Sequence, residues 1–298
     1  MSSFVTSLDP PEAPSGSEEA APVDGWRNGG LAELRSELDR IDTAIHDLLI
    51  QRAGVVEHVA RAGKPAAFRP GREASIIRRL LGRHHGALPP SAIVRIWREM
   101  LAGTTGMQGG LSVAVGDAEP ISLLGQLAKE HFGALTPLRA YGSAGQAMTE
   151  VSQGHASVAI LPFPSERDSW WVHLMHHEPR LYIIAQLPFW KPRPEGSADI
   201  QALVVGPAPP DASGLDRSFL GLECDPDVSR TRLAAEFATA GLKPERMVLQ
   251  RQHGSPIAHA LVEVDGYLTD EMARMIDTGS ALRRPMALGG YAMPVGSP

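Results

Sequence analysis

An arginine stands where a helix should bury a leucine. Leu31, Leu34, Leu38, Ile41, Ile45, Leu48, Val55 and Val59 recur at spacings of three and four, and Leu49 and Val56 widen the same face. The position that this stripe calls for after Leu48 holds Arg52. Arginine is almost never fully buried without a partner, and an isolated buried cation is very costly. Arg52 therefore pairs with a carboxylate such as Asp42 or Glu73, snorkels to solvent, or receives an anion. Arg35 lies on an edge of the same face, beside Leu31 and Leu38. At 1.5 Å of rise per residue the two arginines are about 25 Å apart, too far to grip one small molecule from one helix. Two antiparallel copies would bring Arg35 of one chain to Arg52 of the other, giving a symmetric dimer two equivalent pockets. Facing guanidinium forks suit a small dicarboxylate, each carboxylate bound bidentately. Arg72 and Glu73 open the next helical segment, and Thr104 and Gln108 lie four apart on a third.

Three helices must position these groups. The first is unusually long and is interrupted by Gly63, Pro65 and Pro70. The second is expected over 72–85, with Ile76, Ile77, Leu80 and Leu81 on one face. Pro89 and Pro90 then punctuate the chain, and Ser91 can cap a third helix that carries Ile93, Ile96, Trp97, Met100 and Leu101 to about Gln108. Residues 30–109 thus read as an all-α three-helix domain. Residues 1–29, rich in Pro, Glu, Ser, Ala and Gly, read as a disordered tail. Over 111–190 strands at 112–115, 137–141 and 157–161 alternate with helices at 121–132 and 144–153, a small α/β lobe. The Pro-rich stretch 188–194 reads as a linker. Beyond it the order is strand (217–224), helix (230–240), strands (247–252 and 257–264), helix (269–277) and strand (286–293). This βαββαβ order, within 200–298, is α+β and ferredoxin-like.

Composition narrows the function. The 298-residue chain carries a formal net charge of −6, which argues against a general nucleic-acid binder. Its single cysteine, Cys224, excludes an internal disulfide and any CxxC metal or redox site. The N-terminus has no secretory pattern, and no apolar run reaches the length of a bilayer, so a cytoplasmic protein is expected. The HLMHHE segment, with His173, His176 and His177, does not match the helical motif of two histidines and a base, and no metal is expected there. Arg78, Arg79 and Arg83 read as a solvated face.

The segments LAELRSELDRIDTAIHDLLIQR, FRPGREASIIRRL and IVRIWREMLAGTTGMQ resemble the helical chorismate mutases, particularly the mutase domain of bifunctional chorismate mutase–prephenate dehydratases. The resemblance implies an intertwined homodimer that converts chorismate to prephenate by a pericyclic rearrangement in aromatic amino acid biosynthesis, without cofactor or metal. It gives Arg35, from the partner subunit, one substrate carboxylate and Arg52 the other. Glu73 would accept the substrate hydroxyl, with Arg72 beside it. Arg69 stands where many relatives have Asp, a contact to the hydroxyl region that backbone can make. Thr104 stands where relatives often have Ser, and Gln108 matches the donor to the ether oxygen. The lysine that shares that oxygen would fall at Gly63; Lys64 is next along, and Arg61 is the other candidate.

Residues 111–190, with LAKEHFG and YGSAGQAMTEVSQGHASVAILPFPSE, resemble part of the first lobe of prephenate dehydratase. The Thr-Arg-Phe motif of that family is missing, because Asp199, Ile200 and Gln201 precede ALVVG. The lobe therefore reads as a non-catalytic remnant. Residues 200–298 resemble an ACT domain, which implies a regulatory or dimerisation role and an aromatic amino acid effector. The alternatives are a bifunctional mutase–dehydratase and a non-catalytic regulatory protein.

Overall fold

The computed structural model describes residues 29–62, 68–119, 122–191, 193, 195, 197, 199–276 and 282–296. The expected tail, apart from Gly29, and Lys64 lie outside them. The chain divides into two units, 1–55 and 56–298.

Helix α1 is Leu31–Arg61. At its start the backbone N–H of Gly30 donates to the Glu33 carboxylate at 3.0 Å, the reach-back half of a capping box. Arg40 donates to Glu37 at 2.7 Å, an exposed pair of the kind that adds a few tenths of a kcal/mol to a helix. Helix α1 buries none of its residues. Its apolar stripe is instead in solvent, with Leu38 60% and Leu48 63% exposed.

The second unit carries α2 (Pro70–Arg83) and α3 (Pro90–Gly106). Each begins on a proline, whose missing N–H is no loss in a first turn. Helix α2 buries Glu73, Ala74 and Ile77. Helix α3 buries Val94, Arg98, Leu101 and Thr105, a face rotated from the one that Ile93 and Ile96 suggested; Ile96 is exposed. The helix ends at Gly106, so Gln108 lies in the following turn, its N–H donating to the Thr105 carbonyl at 3.0 Å. Thr104 and Gln108 therefore do not share a helix face. The glycines at 106, 109 and 110 make an early stop cheap.

Among the described residues, the strands join one nine-stranded mixed sheet. They are β1 (Val113–Val115), β2 (Leu138–Ala140), β3 (Val158–Pro162), β4 (Tyr182–Leu187), β5 (Ala202–Gly206), β6 (Asp216–Cys224), β7 (Pro244–Gln250), β8 (Ala258–Asp265) and β9 (Leu282–Ala292). The spatial order is β2-β1-β3-β5-β4-β9-β6-β8-β7. Strands β1, β2 and β3 run parallel, and β5 inserts antiparallel between β3 and β4. Strands β9, β6, β8 and β7 are antiparallel neighbours.

Helices α4 (Leu123–Phe132), α5 (Ala144–Ser152), α6 (Trp170–Leu174), α7 (Arg230–Thr239) and α8 (Asp270–Arg274) cover the sheet. Every residue of β5 is buried, as expected of a strand covered on both faces. Leu203 and Val205 pack with Trp171, while Ala202 and Val204 pack with Phe132 of α4.

The two halves of the sheet meet where β4 pairs parallel with β9, at Ile183 and Gly289. Gly289 has φ +105°, and a Cβ there would stand 2.1 Å from the Ile183 carbonyl oxygen. Only glycine tolerates both conditions. The stretch expected as a linker is tied into this joint. Phe189 is buried, Trp190 bridges to Val295, and the Lys191 N–H donates to the Val295 carbonyl at 2.8 Å.

Candidate functional site

The start of α2 is held by a residue far away in sequence. Arg69 is the N-cap position and its own side chain makes no cap. Asp211 supplies the missing acceptor: it takes the N–H of Gly71 at 3.0 Å and of Arg72 at 2.9 Å, and pairs with the Arg69 guanidinium at 3.4 Å. A carboxylate at this end also opposes the positive pole of the helix dipole. Arg78, on the same helix, is not a solvated residue. Its guanidinium donates to the Ser213 hydroxyl at 2.8 Å and to the carbonyls of Leu215 and Met293 at 3.0 and 2.6 Å.

Glu73, one turn into α2, faces inward. Its carboxylate accepts from Arg98 of α3 at 2.8 Å, with the two side chains only 10% and 5% exposed. Around Arg98 stand the His131 ring, with Nε2 at 3.4 Å, and the Phe189 ring, whose centroid is 4.5 Å from the guanidinium carbon. Burial lowers the pKa of Arg98, an effect that Glu73 opposes. Burial, and then the charge of Arg98, hold His131 well below its usual value, so it is neutral near pH 7. This interior of cation, carboxylate and neutral imidazole was not expected from the sequence, which offered Glu73 to Arg52 or to the substrate hydroxyl. The signal was available. Val94, Arg98, Leu101 and Thr105 are spaced four, three and four, so Arg98 interrupts a helical apolar stripe in sequence, as Arg52 does in the first helix.

The other expected groups are distributed as follows. Arg35 is exposed and Arg52 half-buried on α1, in the first unit. Arg61 pairs with Glu57 at 2.5 Å on the surface of the same helix. The Arg72 side chain is exposed. The Thr104 hydroxyl donates back to the carbonyls of Met100 and Leu101 at 3.0 and 3.1 Å, and Gln108 is half-buried beyond the helix end. Arg69 and Asp211 edge a cavity of about 350 Å³ that Phe68, Thr105, Leu111 and Ile184 also line. Within the second unit the fold thus brings the start of α2 and the end of α3 to one place. Among the described residues no helix is long and apolar enough to cross a membrane.

A bifunctional chorismate mutase/prephenate dehydratase of Stutzerimonas stutzeri is 28% identical over 141 residues, 44% of this chain and 38% of that protein. The protein of the same description from Neisseria gonorrhoeae strain ATCC 700825 / FA 1090 is 26% identical over 133 residues, 44% of this chain and 36% of its own length. The match therefore spans well under half of the curated relatives. Among solved structures, the prephenate dehydratase from Streptococcus mutans aligns with a TM-score of 0.46 at 12% identity, over 62% of this chain and 98% of that one. Residues 34–109 match the family model described as chorismate mutase type II, and the chain accordingly carries a chorismate mutase domain over those residues.

Proposed function

We propose that this protein is a chorismate mutase that acts as a homodimer, converting chorismate to prephenate. The observation that carries the reading is the family match over 34–109, which takes in Arg35, Arg52, Arg69, Arg72, Glu73, Thr104 and Gln108. In the rearrangement the ether C–O bond breaks as a new C–C bond forms, and no proton, electron pair or covalent intermediate passes to the protein. The protein's task is to hold a flexible dianion in its compact reactive conformer and to set positive and N–H groups where charge grows on the ether oxygen. Arg52 and the partner's Arg35 take the two carboxylates. Glu73 and Arg72 take the hydroxyl, with Arg69 and Thr104 lining the pocket. Gln108, with Lys64 or Arg61, takes the ether oxygen.

Two features support a dimer. A single chain leaves the Leu31–Leu48 stripe of α1 in solvent, and large exposed apolar faces mark interaction surfaces. Arg35 is also too far along the helix to share a small ligand with Arg52 of its own chain. The order β9-β6-β8-β7, antiparallel throughout, supports a ferredoxin-like, ACT-type module within 200–298, where an aromatic amino acid would act as effector. Cytoplasmic localisation fits a soluble step of aromatic amino acid biosynthesis.

Incubation with chorismate, with products resolved by NMR, tests the reading. Prephenate should accumulate without phenylpyruvate, whereas phenylpyruvate would establish the bifunctional alternative. A second reading, a non-catalytic regulatory protein, draws on the commitment of Glu73 to Arg98. It is favoured if chorismate binds and is not consumed.

A further inference from the structure

We propose that His176, Glu223 and His259 form a binding site for one divalent transition ion of the Zn²⁺ class, clamping the turn after α6 onto the sheet. Each residue offers one ligand atom, and these atoms all lie within 4.8 Å of one another.

The placement follows from strand alternation. Glu223 of β6 and His259 of β8 are directly paired across the antiparallel ladder, which sets their side chains side by side on one face. Their neighbours Leu222, Cys224, Ala258 and Ala260 belong to the core under α7 and α8, so Glu223 and His259 point to the opposite face. His176 reaches that face from the turn after α6, because Met175 before it packs against Gly221. The two imidazoles meet edge to face, with centroids 6.1 Å apart.

The bland alternative is an ordinary buried ion pair, and the surroundings of Glu223 argue against it. Glu223 is 8% exposed. The cation that faces it, Arg284, sits 3.4 Å away on a side chain 78% exposed. Such a pair is screened by water and compensates a buried carboxylate weakly. Two imidazoles and one carboxylate are the donor set of three-ligand zinc sites, which leave a fourth position to water. Mg²⁺ and Ca²⁺ would demand mostly oxygen ligands. Metal–ligand bonds of about 2.0–2.2 Å put ligand atoms roughly 3.3–3.5 Å apart in a tetrahedral site. Closure therefore requires a shift of about an ångström, which the exposed His176 can supply by changing rotamer.

The test uses the full-length, tag-free protein stripped with EDTA and titrated with Co²⁺, read by visible d–d absorption, with Zn²⁺ added as competitor. One Co²⁺ per chain should bind saturably and be displaced by Zn²⁺ but not by Mg²⁺. His176→Ala and His259→Ala should each weaken binding at least tenfold, and Glu223→Gln should do the same. His176 is exposed, so its variant should melt like the wild type in EDTA, which separates loss of a ligand from loss of the fold. His85→Ala, an exposed control outside the cluster, should bind normally. Absence of saturable binding, undiminished binding by His176→Ala, or equal binding of Mg²⁺ would overturn the proposal.

Discussion

Replacing Arg98 by methionine should destabilise the protein far more than an ordinary helix substitution. The change leaves the Glu73 carboxylate, 10% exposed, without the cation that faces it at 2.8 Å. Breaking a buried ion pair from one side costs about 3–5 kcal/mol, because the remaining charge keeps its desolvation penalty. The contact of the guanidinium with the Phe189 ring is lost as well, for roughly another 0.5–2 kcal/mol. The methionine thioether fills much of the vacated volume, so the cavity contribution stays small. Removing both charges is a different perturbation. Apolar replacement of a whole buried pair is often neutral or stabilising, and the double variant Arg98→Met/Glu73→Met should fall within about 1–2 kcal/mol of wild type. Urea denaturation of the wild type, both single variants and the double variant, followed by circular dichroism, closes the cycle. A loss below about 1 kcal/mol in Arg98→Met, or a double variant no more stable than that single one, would refute the reasoning that the pair is closely coupled and buried.

Other outcomes follow from the same geometry. His131 is held neutral in the fold, with its pKa well below the usual value, while the unfolded chain takes up a proton near pH 6.5. Its contribution to stability is therefore complete above about pH 6.5 and is lost as the pH falls toward the depressed folded value. His131→Gln should flatten that acid slope in urea midpoints measured from pH 7.5 to 5, and an unchanged slope would contradict the assignment. Asp211→Ala should lower stability by about 1–2 kcal/mol through loss of the α2 cap, with Asp211→Asn intermediate; calorimetric melting distinguishes the three proteins. Gly289→Ala should cost at least about 2 kcal/mol, since its Cβ would meet the Ile183 carbonyl oxygen at 2.1 Å; a melting temperature equal to wild type would show that the sheet joint yields. Leu48→Glu on the exposed stripe of α1 should leave chain secondary structure intact in circular dichroism while shifting the assembly to monomer in analytical ultracentrifugation.

What could be read from the sequence depended on whether the signal was local. Helical spacing located α1, α2 and α3, and residue alternation with turn residues located most strands, because side-chain period is fixed by each element's own geometry. Partners across the fold left no such trace. Asp211 caps a helix 140 positions away from Gly71, and nothing in the run PAPPD announces that role. Strand β5 was noticed only as ALVVG, on the far side of the expected break near residue 190, yet it pairs between β3 and β4. A fully buried strand has no alternation to reveal its neighbours.

Within the site, Arg52 was singled out by its place in an apolar stripe while Arg98 passed unnoticed, because Ile93, Ile96 and Met100 drew attention to another face of α3. The same limit hid the histidine cluster. HLMHHE is a poor local motif, and His176 gains meaning only beside Glu223 and His259, which are distant in sequence and adjacent across strands.

The central claim is chorismate mutase activity from the helical segment, and the most direct measurement is chorismate consumption by the purified full-length protein and by its Arg52→Ala variant. The account predicts that the wild type converts chorismate to prephenate, and that the variant loses turnover by at least a hundredfold, an electrostatic loss of about 2.7 kcal/mol or more, while keeping the wild-type melting temperature. A folded, dimeric wild-type protein that leaves chorismate unchanged, or an Arg52→Ala variant with wild-type kcat/KM, would contradict it.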